Sequence, residues 1–441
     1  MTRVAILFDN FGPYHRARLA AAAQVCELLA LEVAHRSGDY SWEAEPAGGF
    51  HSECLFKGTS AELASSVIAA RLNEVLEPFC PEVVVLPGWA SRGALTSLRW
   101  CVAKGIPAVV MSDSQAIDEP RVWWKEGIKR KLVAGFSSGL VAGQSHRDYL
   151  TQLGMLRDRV FLGYDAVDNE YFGKNAERLK AEKLKSETGR AEARRRHTSP
   201  GVPPPSPQCG EGRLPEKFFL ASARFIEKKN LPRLIEAYAL YRKKADTLKV
   251  ETLKLENTSP QPSPQGGEGV LPWDLVLLGD GPLRKELEAR SNELGVNEWV
   301  KMPGFKQYPD LPAYYGCASA FIHASTTEQW GLVVNEAMAS GLPMLVSNRC
   351  GCAPDLMQEG VNGFTFDPFD VEEIANAMLR VSKMEDGELE QMGAASQRII
   401  AGWGPERFAS GLKQAVEKAI AVGPIKPDLL QRAILMALLR R

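Results

Sequence analysis

Long hydrophobic runs are missing from this 441-residue chain: none approaches the roughly 18 apolar residues that read as a membrane-spanning helix. An excess of one charge is missing too. Lys and Arg total 53, Asp and Glu 54, and the net charge is -1, so no nucleic-acid partner is indicated and any basic patch must be local. Cysteine is sparse and scattered, at positions 26, 54, 80, 101, 209, 317, 350 and 352. Only Cys350 and Cys352 lie close, with no second pair at zinc spacing, so the thiols read as reduced and packed or at the surface. The apolar opening in MTRVAILFDNFG is too short for a signal peptide and reads as a first strand, which makes the cytoplasm the expected location.

What is present is alternation. Short β-branched or apolar runs predict strands at Arg3–Phe8, Leu28–Val33, Val83–Leu86, Ala108–Met111, Leu140–Gly143, Phe218–Ala221, Leu275–Leu278, Ala320–His323 and Met344–Ser347. Arg16–Leu29, Leu231–Lys244 and Leu283–Leu294 have helical length and spacing. This order predicts an α/β protein of two doubly wound, Rossmann-like domains, divided near Tyr164–Phe172. The expected domains are 1–170 and 171–418, followed by a helical tail, 419–441, that packs back on the first. Two Pro/Gly/Ser-rich segments, 198–215 and 258–272, interrupt the second domain. Pro205–Pro215 and Pro262–Pro272 agree at nine of eleven positions, so they read as two copies of one insertion in surface loops.

In doubly wound sheets, ligands bind beyond the carboxyl ends of the strands. Five unusual clusters fall there: residues 9–15 (DNFGPYH), 112–115 (SDSQ), 224–229 (RFIEKK), 279–282 (GDGP) and 325–331 (STTEQWG). The GDGP turn lacks the third glycine of a dinucleotide fingerprint and lies deep in the chain, which argues against an NAD-dependent dehydrogenase. Arg224 and Lys229, five apart at a strand end, offer a planar fork and a point charge that suit a diphosphate. Glu328 sits on a loop and Glu336 in the next helix, with Gly331 and the helix-starting residues Leu332 and Val333 between them. Two carboxylates flanking amides at a helix N-terminus can hold two hydroxylated rings joined through a diphosphate, which describes a nucleotide-sugar.

These residues resemble glycosyltransferase family 4, the retaining, nucleotide-sugar-dependent enzymes of the GT-B fold, in which two Rossmann-like domains face each other across a cleft. The resemblance is specific from Phe218 to Phe366, leaving out Ala245–Pro272. The family's Glu-x7-Glu signature matches Glu328 and Glu336, followed by EAMASGLP and then Gly351 and Gly363. Its diphosphate Arg and Lys match Arg224 and Lys229, and its glycine-rich turn matches Gly279 and Gly281. The resemblance implies catalytic roles for Glu328, Arg224 and Lys229. It implies donor contacts from Glu336, Gly279, Gly281, Trp330, Gly331, Leu332 and Val333, and from Gly12 in a sparse glycine loop of the first domain. It also implies a sugar moved to a glycan, lipid-linked or small-molecule acceptor in envelope or polysaccharide synthesis, with no cofactor and no metal. No clear Asp-x-Asp metal motif is present.

The first domain is similar only in outline. A His often found past the middle strand is absent and Asp113 stands nearby. Acceptor candidates are His15, Arg16, Trp89, Asp113 and Arg121. The stretch Arg121–Lys131 has two Trp, five basic residues and one acidic residue. It suits peripheral contact with an anionic inner-membrane surface, or a surface loop leading into a buried helix. Other functions stay open: a GT-B epimerase, hydrolase or phosphorylase, or a binding protein that keeps the fold without catalysis.

Overall fold

The computed structural model describes residues 1–36, 49–59, 63–196, 214–258 and 272–440. Cys209 and nearly all of both Pro/Gly-rich segments lie outside these residues. The chain divides into two compact units, one of Met1–Asp168 with Gly402–Arg441, the other of Asn169–Ala401.

The first unit is built on a seven-stranded parallel sheet: β1 (Arg3–Phe8), β2 (Glu27–Arg36), β3 (His51–Thr59), β4 (Val83–Pro87), β5 (Ala108–Ser112), β6 (Ser138–Val141) and β7 (Val160–Leu162). Their order is β3-β2-β1-β4-β5-β6-β7, so the winding reverses between β1 and β4. The second unit holds a six-stranded parallel sheet: β8 (Phe218–Ser222), β9 (Asp274–Leu278), β10 (Val300–Gly304), β11 (Ala320–His323), β12 (Met344–Ser347) and β13 (Gly363–Phe366). Its order is β10-β9-β8-β11-β12-β13, with the reversal between β8 and β11. Central strands such as VAILF and FFLA are buried along their length, as they must be when helices cover both faces.

Three expectations change. A helix was expected over Arg16–Leu29, but it ends at Ala22 and the chain enters β2 at Glu27. Leu28–Leu31 are apolar at every position and are needed between β1 and β3, which overrides their helical spacing. Four strands, β3, β7, β10 and β13, were not anticipated. The second division was expected at 418, whereas the chain rejoins the first unit at Gly402. The helix Pro405–Val422 lays Phe408, Leu412, Ala415, Val416 and Ala419 against Val4, Ile6, Val83 and Val109 on one face of the first sheet. Each large side chain buried in this way contributes about 1.5–3 kcal/mol. The last helix, Leu429–Leu439, joins the cluster on the opposite face through Leu435 and Leu439.

Contact between Pro405–Val422 and the sheet is close enough to need a glycine. A Cβ at Gly411 would lie 2.2 Å from the Leu162 carbonyl oxygen. Gly411→Val should therefore lower stability by about 1–3 kcal/mol in urea denaturation. An unchanged midpoint would show that the helix does not seat on β7 as described.

Candidate functional site

The reversal between β8 and β11 places the ends of both strands side by side, and the chain stitches them together. The Thr326 amide donates to the Lys228 carbonyl at 2.9 Å. Buried Asn230 adopts a left-handed conformation, φ +58, after the turn Glu227–Lys229. Its amide group donates to the Ala324 carbonyl at 3.0 Å and the Pro368 carbonyl at 2.7 Å. These bonds hold Lys229, beyond β8, against Glu328, beyond β11. The two side chains form an ion pair, each only 12% exposed.

Glu328 Oε2 is also approached by His323 Nε2 at 3.3 Å and by the Ser325 hydroxyl at 3.3 Å. Burial works to raise the Glu328 carboxyl, but the Lys229 charge and His323 outweigh it and hold it well below the usual carboxylate range. Burial pushes the His323 imidazole below its ordinary value, with the hydrogen bond to Glu328 opposing. The backbone of Glu328 is fixed from the far side, where it bridges Cys350 and its carbonyl accepts the Gly351 amide at 2.9 Å. The Cys350 and Cys352 thiols are buried and shifted upward by that burial, so they remain protonated. Among the described residues no group of three or more His, Cys, Asp or Glu is arranged to hold a metal ion.

Arg224 is half-buried on the loop after β8. That loop is held by the GDGP turn: the Phe225 amide donates to the Asp280 carbonyl at 2.8 Å and the Leu283 amide to the Phe225 carbonyl at 3.1 Å. Gly279 and Gly281 have φ of +132 and +156, and a Cβ at Gly279 would lie 2.0 Å from the Ala223 carbonyl oxygen. The space these glycines leave empty is thus filled by the chain's own backbone. Their structural role is to bring the Arg224 loop close.

Gly331, φ +100, caps the helix Leu332–Ala339, and Leu332 and Val333 begin it half-buried. Trp330 points inward, 2% exposed, its indole N–H donating to Asn335 Oδ1 at 2.9 Å. Glu336 is wholly buried, and its carboxylate accepts the Tyr315 hydroxyl at 2.5 Å. Burial and the Glu336 charge raise the Tyr315 phenol well above its ordinary value, so it stays protonated and donates. In this conformation Trp330 and Glu336 brace the helix, and neither presents a polar group to a ligand.

At the corresponding reversal of the first unit, Gly12 caps the helix Pro13–Ala22 and its amide donates to His15 Nδ1 at 3.0 Å. Burial, then the Arg18 charge, hold His15 well below its usual value; the neutral ring therefore carries its proton on Nε2. Asp113 is half-buried beyond β5. Asp9 stands beyond β1, raised by burial against a hydrogen bond from Ser91. The charges of Asp113, Asp165 and Asp9 all act on the Tyr164 phenol, which burial pushes above its usual value.

Arg16 is half-buried and Trp89 is buried in the core. Arg121 is taken up by structure: it donates to the Ala116 carbonyl at 2.7 Å, to the Gln115 carbonyl and to the Tyr149 hydroxyl at 2.9 Å. Its guanidinium also lies over the Tyr149 ring. Sequence reasoning passed over Asn230, Glu32 and Arg18. Glu32 accepts the Phe11 amide at 2.6 Å, and Arg18 donates to the Tyr164 carbonyl at 2.7 Å. A lone Asn before Leu-Pro was the only signal for the first; the other two had none.

The Lys229–Glu328 pair makes stability depend on pH with a definite sign. A carboxyl whose folded value lies below its unfolded value of about 4.3 stabilises above that value and loses its contribution as pH falls through the folded one. Glu328→Gln should cost about 3 kcal/mol at pH 7, because Lys229 is left buried and unpaired. The difference from wild type, followed by urea denaturation, should shrink below about pH 4. A difference that grows on acidification would contradict the pairing.

Residues 211–398 match the family model described as Glycosyl transferases group 1, over less than half of the chain. A sulfoquinovosyl transferase of Arabidopsis thaliana is 39% identical over 102 residues, 22% of this chain and 19% of the relative. A mannosylfructose-phosphate synthase of Agrobacterium fabrum is 31% identical over 140 residues, 31% of this chain and 29% of the relative. The chain thus spans less than a third of the length of these curated relatives. Among solved structures, sucrose-phosphate synthase of Thermosynechococcus elongatus superposes with a TM-score of 0.64 at 15% identity, over 96% of this chain and 100% of that one. Anabaena HepE in complex with UDP and glucose gives 0.62 at 18%, over 93% and 98%. Residues 211–398 are thus similar to the glycosyl transferases group 1 family, and the two parallel-sheet units have the GT-B fold.

Proposed function

We propose that the chain is a retaining glycosyltransferase that moves a sugar from a nucleoside diphosphate to a hydroxyl of a glycan, lipid-linked or small-molecule acceptor in envelope or polysaccharide synthesis. The observation that carries this reading is the Lys229–Glu328 pair at the reversal of the second sheet, with Arg224 on the same loop after β8. An anionic donor gives Lys229 a second partner. Its ammonium turns to the diphosphate, and Glu328, still held by His323 and Ser325, accepts hydroxyls of the donor sugar. The complexes of Anabaena HepE with UDP and with UDP-glucose make a uridine diphosphate sugar the first donor to try.

Breaking the sugar–phosphate bond sends an electron pair to the leaving diphosphate and builds positive charge on the ring. Arg224 and Lys229 lie where that leaving charge grows, and a preorganised donor of this kind contributes about 3–4 kcal/mol. The acceptor oxygen bonds to the anomeric carbon on the face the diphosphate leaves, and its proton passes to a phosphate oxygen. No enzymic nucleophile is needed, unlike in retaining glycosidases. Asp9, His15 and Asp113 at the first sheet are the groups for receiving the acceptor. The ribose role for Glu336 requires its carboxylate to turn away from Tyr315.

Lys229→Ala and Arg224→Ala should each lower transfer from UDP-glucose, or from the active donor found by a nucleotide-sugar screen, by about a hundredfold or more. Circular dichroism should show the fold kept. Wild-type transfer by both variants at limiting donor would remove the assignment, and an inverted anomer in the product NMR spectrum would remove the retaining chemistry. His323 acts by positioning Glu328. His323→Gln, which keeps an N–H near Nε2, should retain most activity, whereas His323→Ala should lose roughly tenfold.

A further inference from the structure

The helix Leu429–Leu439 (LLQRAILMALL) contradicts its location. Nine of its eleven residues are apolar, a composition expected of a helix covered on all sides. One face is covered: Leu435 and Leu439 are buried in the core of the first unit, with Ile434 and Leu438 packed beside them. The other face is open. Leu429 is 84% exposed, Leu430 55% and Met436 37%, and Ala433 and Ala437 are exposed between and beyond them.

Next to it runs the helix Trp123–Val133. The two are joined where Lys131 pairs with Asp428 at 3.0 Å and Gln431 donates to the Lys131 carbonyl. This second helix opens with Trp123, 86% exposed, and Trp124, 47% exposed. The two adjoining helices together expose five large apolar side chains, two of them tryptophan.

The charges beside them are mostly basic. Residues 121–131 and 425–440 carry eight basic and two acidic side chains. Both acids are neutralised from within: Glu126 pairs with Lys129 at 2.9 Å and Asp428 with Lys131. Lys125, Arg130, Lys426, Arg432 and Arg440 are exposed.

We propose that these two helices form a docking surface for an anionic lipid bilayer. Trp123, Trp124, Leu429, Leu430 and Met436 enter the headgroup region, and the exposed Lys and Arg lie against lipid phosphates. The combination favours lipid over a second copy of the chain, because a self-complementary interface would bring this basic surface against itself. Tryptophan suits the place, being apolar in body with one polar N–H. The surface belongs to the first unit alone and is independent of the sugar chemistry.

The test is co-sedimentation of the full chain with vesicles of phosphatidylcholine alone or mixed with phosphatidylglycerol, without sugar donor. Binding is expected to the mixed vesicles only, and should fall as salt is raised. The pairs Trp123→Ser with Trp124→Ser, and Leu429→Gln with Leu430→Gln, should each reduce partition about tenfold or more. Lys125→Gln and Arg130→Gln should each reduce it about fivefold. These side chains are exposed, so circular dichroism should be unchanged. Failure to sediment with either vesicle, or binding indifferent to all these variants, would overturn the proposal. So would a dimer in sedimentation velocity that the apolar variants dissolve, which would identify the face as a contact between copies.

Discussion

The candidate site depends on one ion pair kept from water. Separated from solvent, Lys229 and Glu328 each carry a desolvation cost of several kcal/mol that their mutual attraction offsets only in good geometry. The surrounding chain supplies that geometry. Asn230 ties the β8 loop to Ala324 and Pro368, Thr326 reaches back to Lys228, and the Cys350–Cys352 segment clamps the backbone of Glu328. Backbone bonds and the Asn230 side-chain amide therefore hold the two charges in register before any ligand arrives. In the proposed function, the phosphate then enters a place where a cation is already fixed.

How legible the fold was depends on position in the sheet. β1, β11 and β12 appear at the boundaries read from the sequence, and β8 differs by one residue, because strands covered on both faces must be apolar throughout. The four strands missed, β3, β7, β10 and β13, are the four edges of the two sheets. An edge has one neighbour and more solvent, so its residues need not advertise a core. β10 reads VKMPG and β3 reads HSECLFKGT, and neither contains an apolar run longer than three residues. The same limit explains the second boundary. Nothing local in residues 402–418 says which sheet their apolar face will cover.

The site was legible in its charges and less so in its packing. Lys229 and Glu328, 99 positions apart, were linked by their places beyond the carboxyl ends of strands, and the structure makes those strands neighbours and brings the two together. Trp330, Glu336, Gly279 and Gly281 stand in the same motifs, yet their side chains or missing Cβ atoms face the protein's own interior. A motif marks which residues travel together. It does not separate those that touch a ligand from those that hold others in place. Arg121 teaches the converse: a cation in a promising loop can be consumed by two carbonyls, a phenol and an aromatic face.

The return of the chain at Gly402 has a consequence for biosynthesis. The second unit is an insertion within the first, and its two ends meet where the Asn169 side chain donates to the Ile400 carbonyl at 2.7 Å. Residues 1–168 leave the ribosome first but lack Phe408, Leu412, Leu435 and their neighbours, which complete the packing on both faces of their sheet. The portion made first must wait, incompletely packed, while the later portion is able to close on itself. Vectorial synthesis thus inverts the usual order, in which the amino-terminal domain folds first.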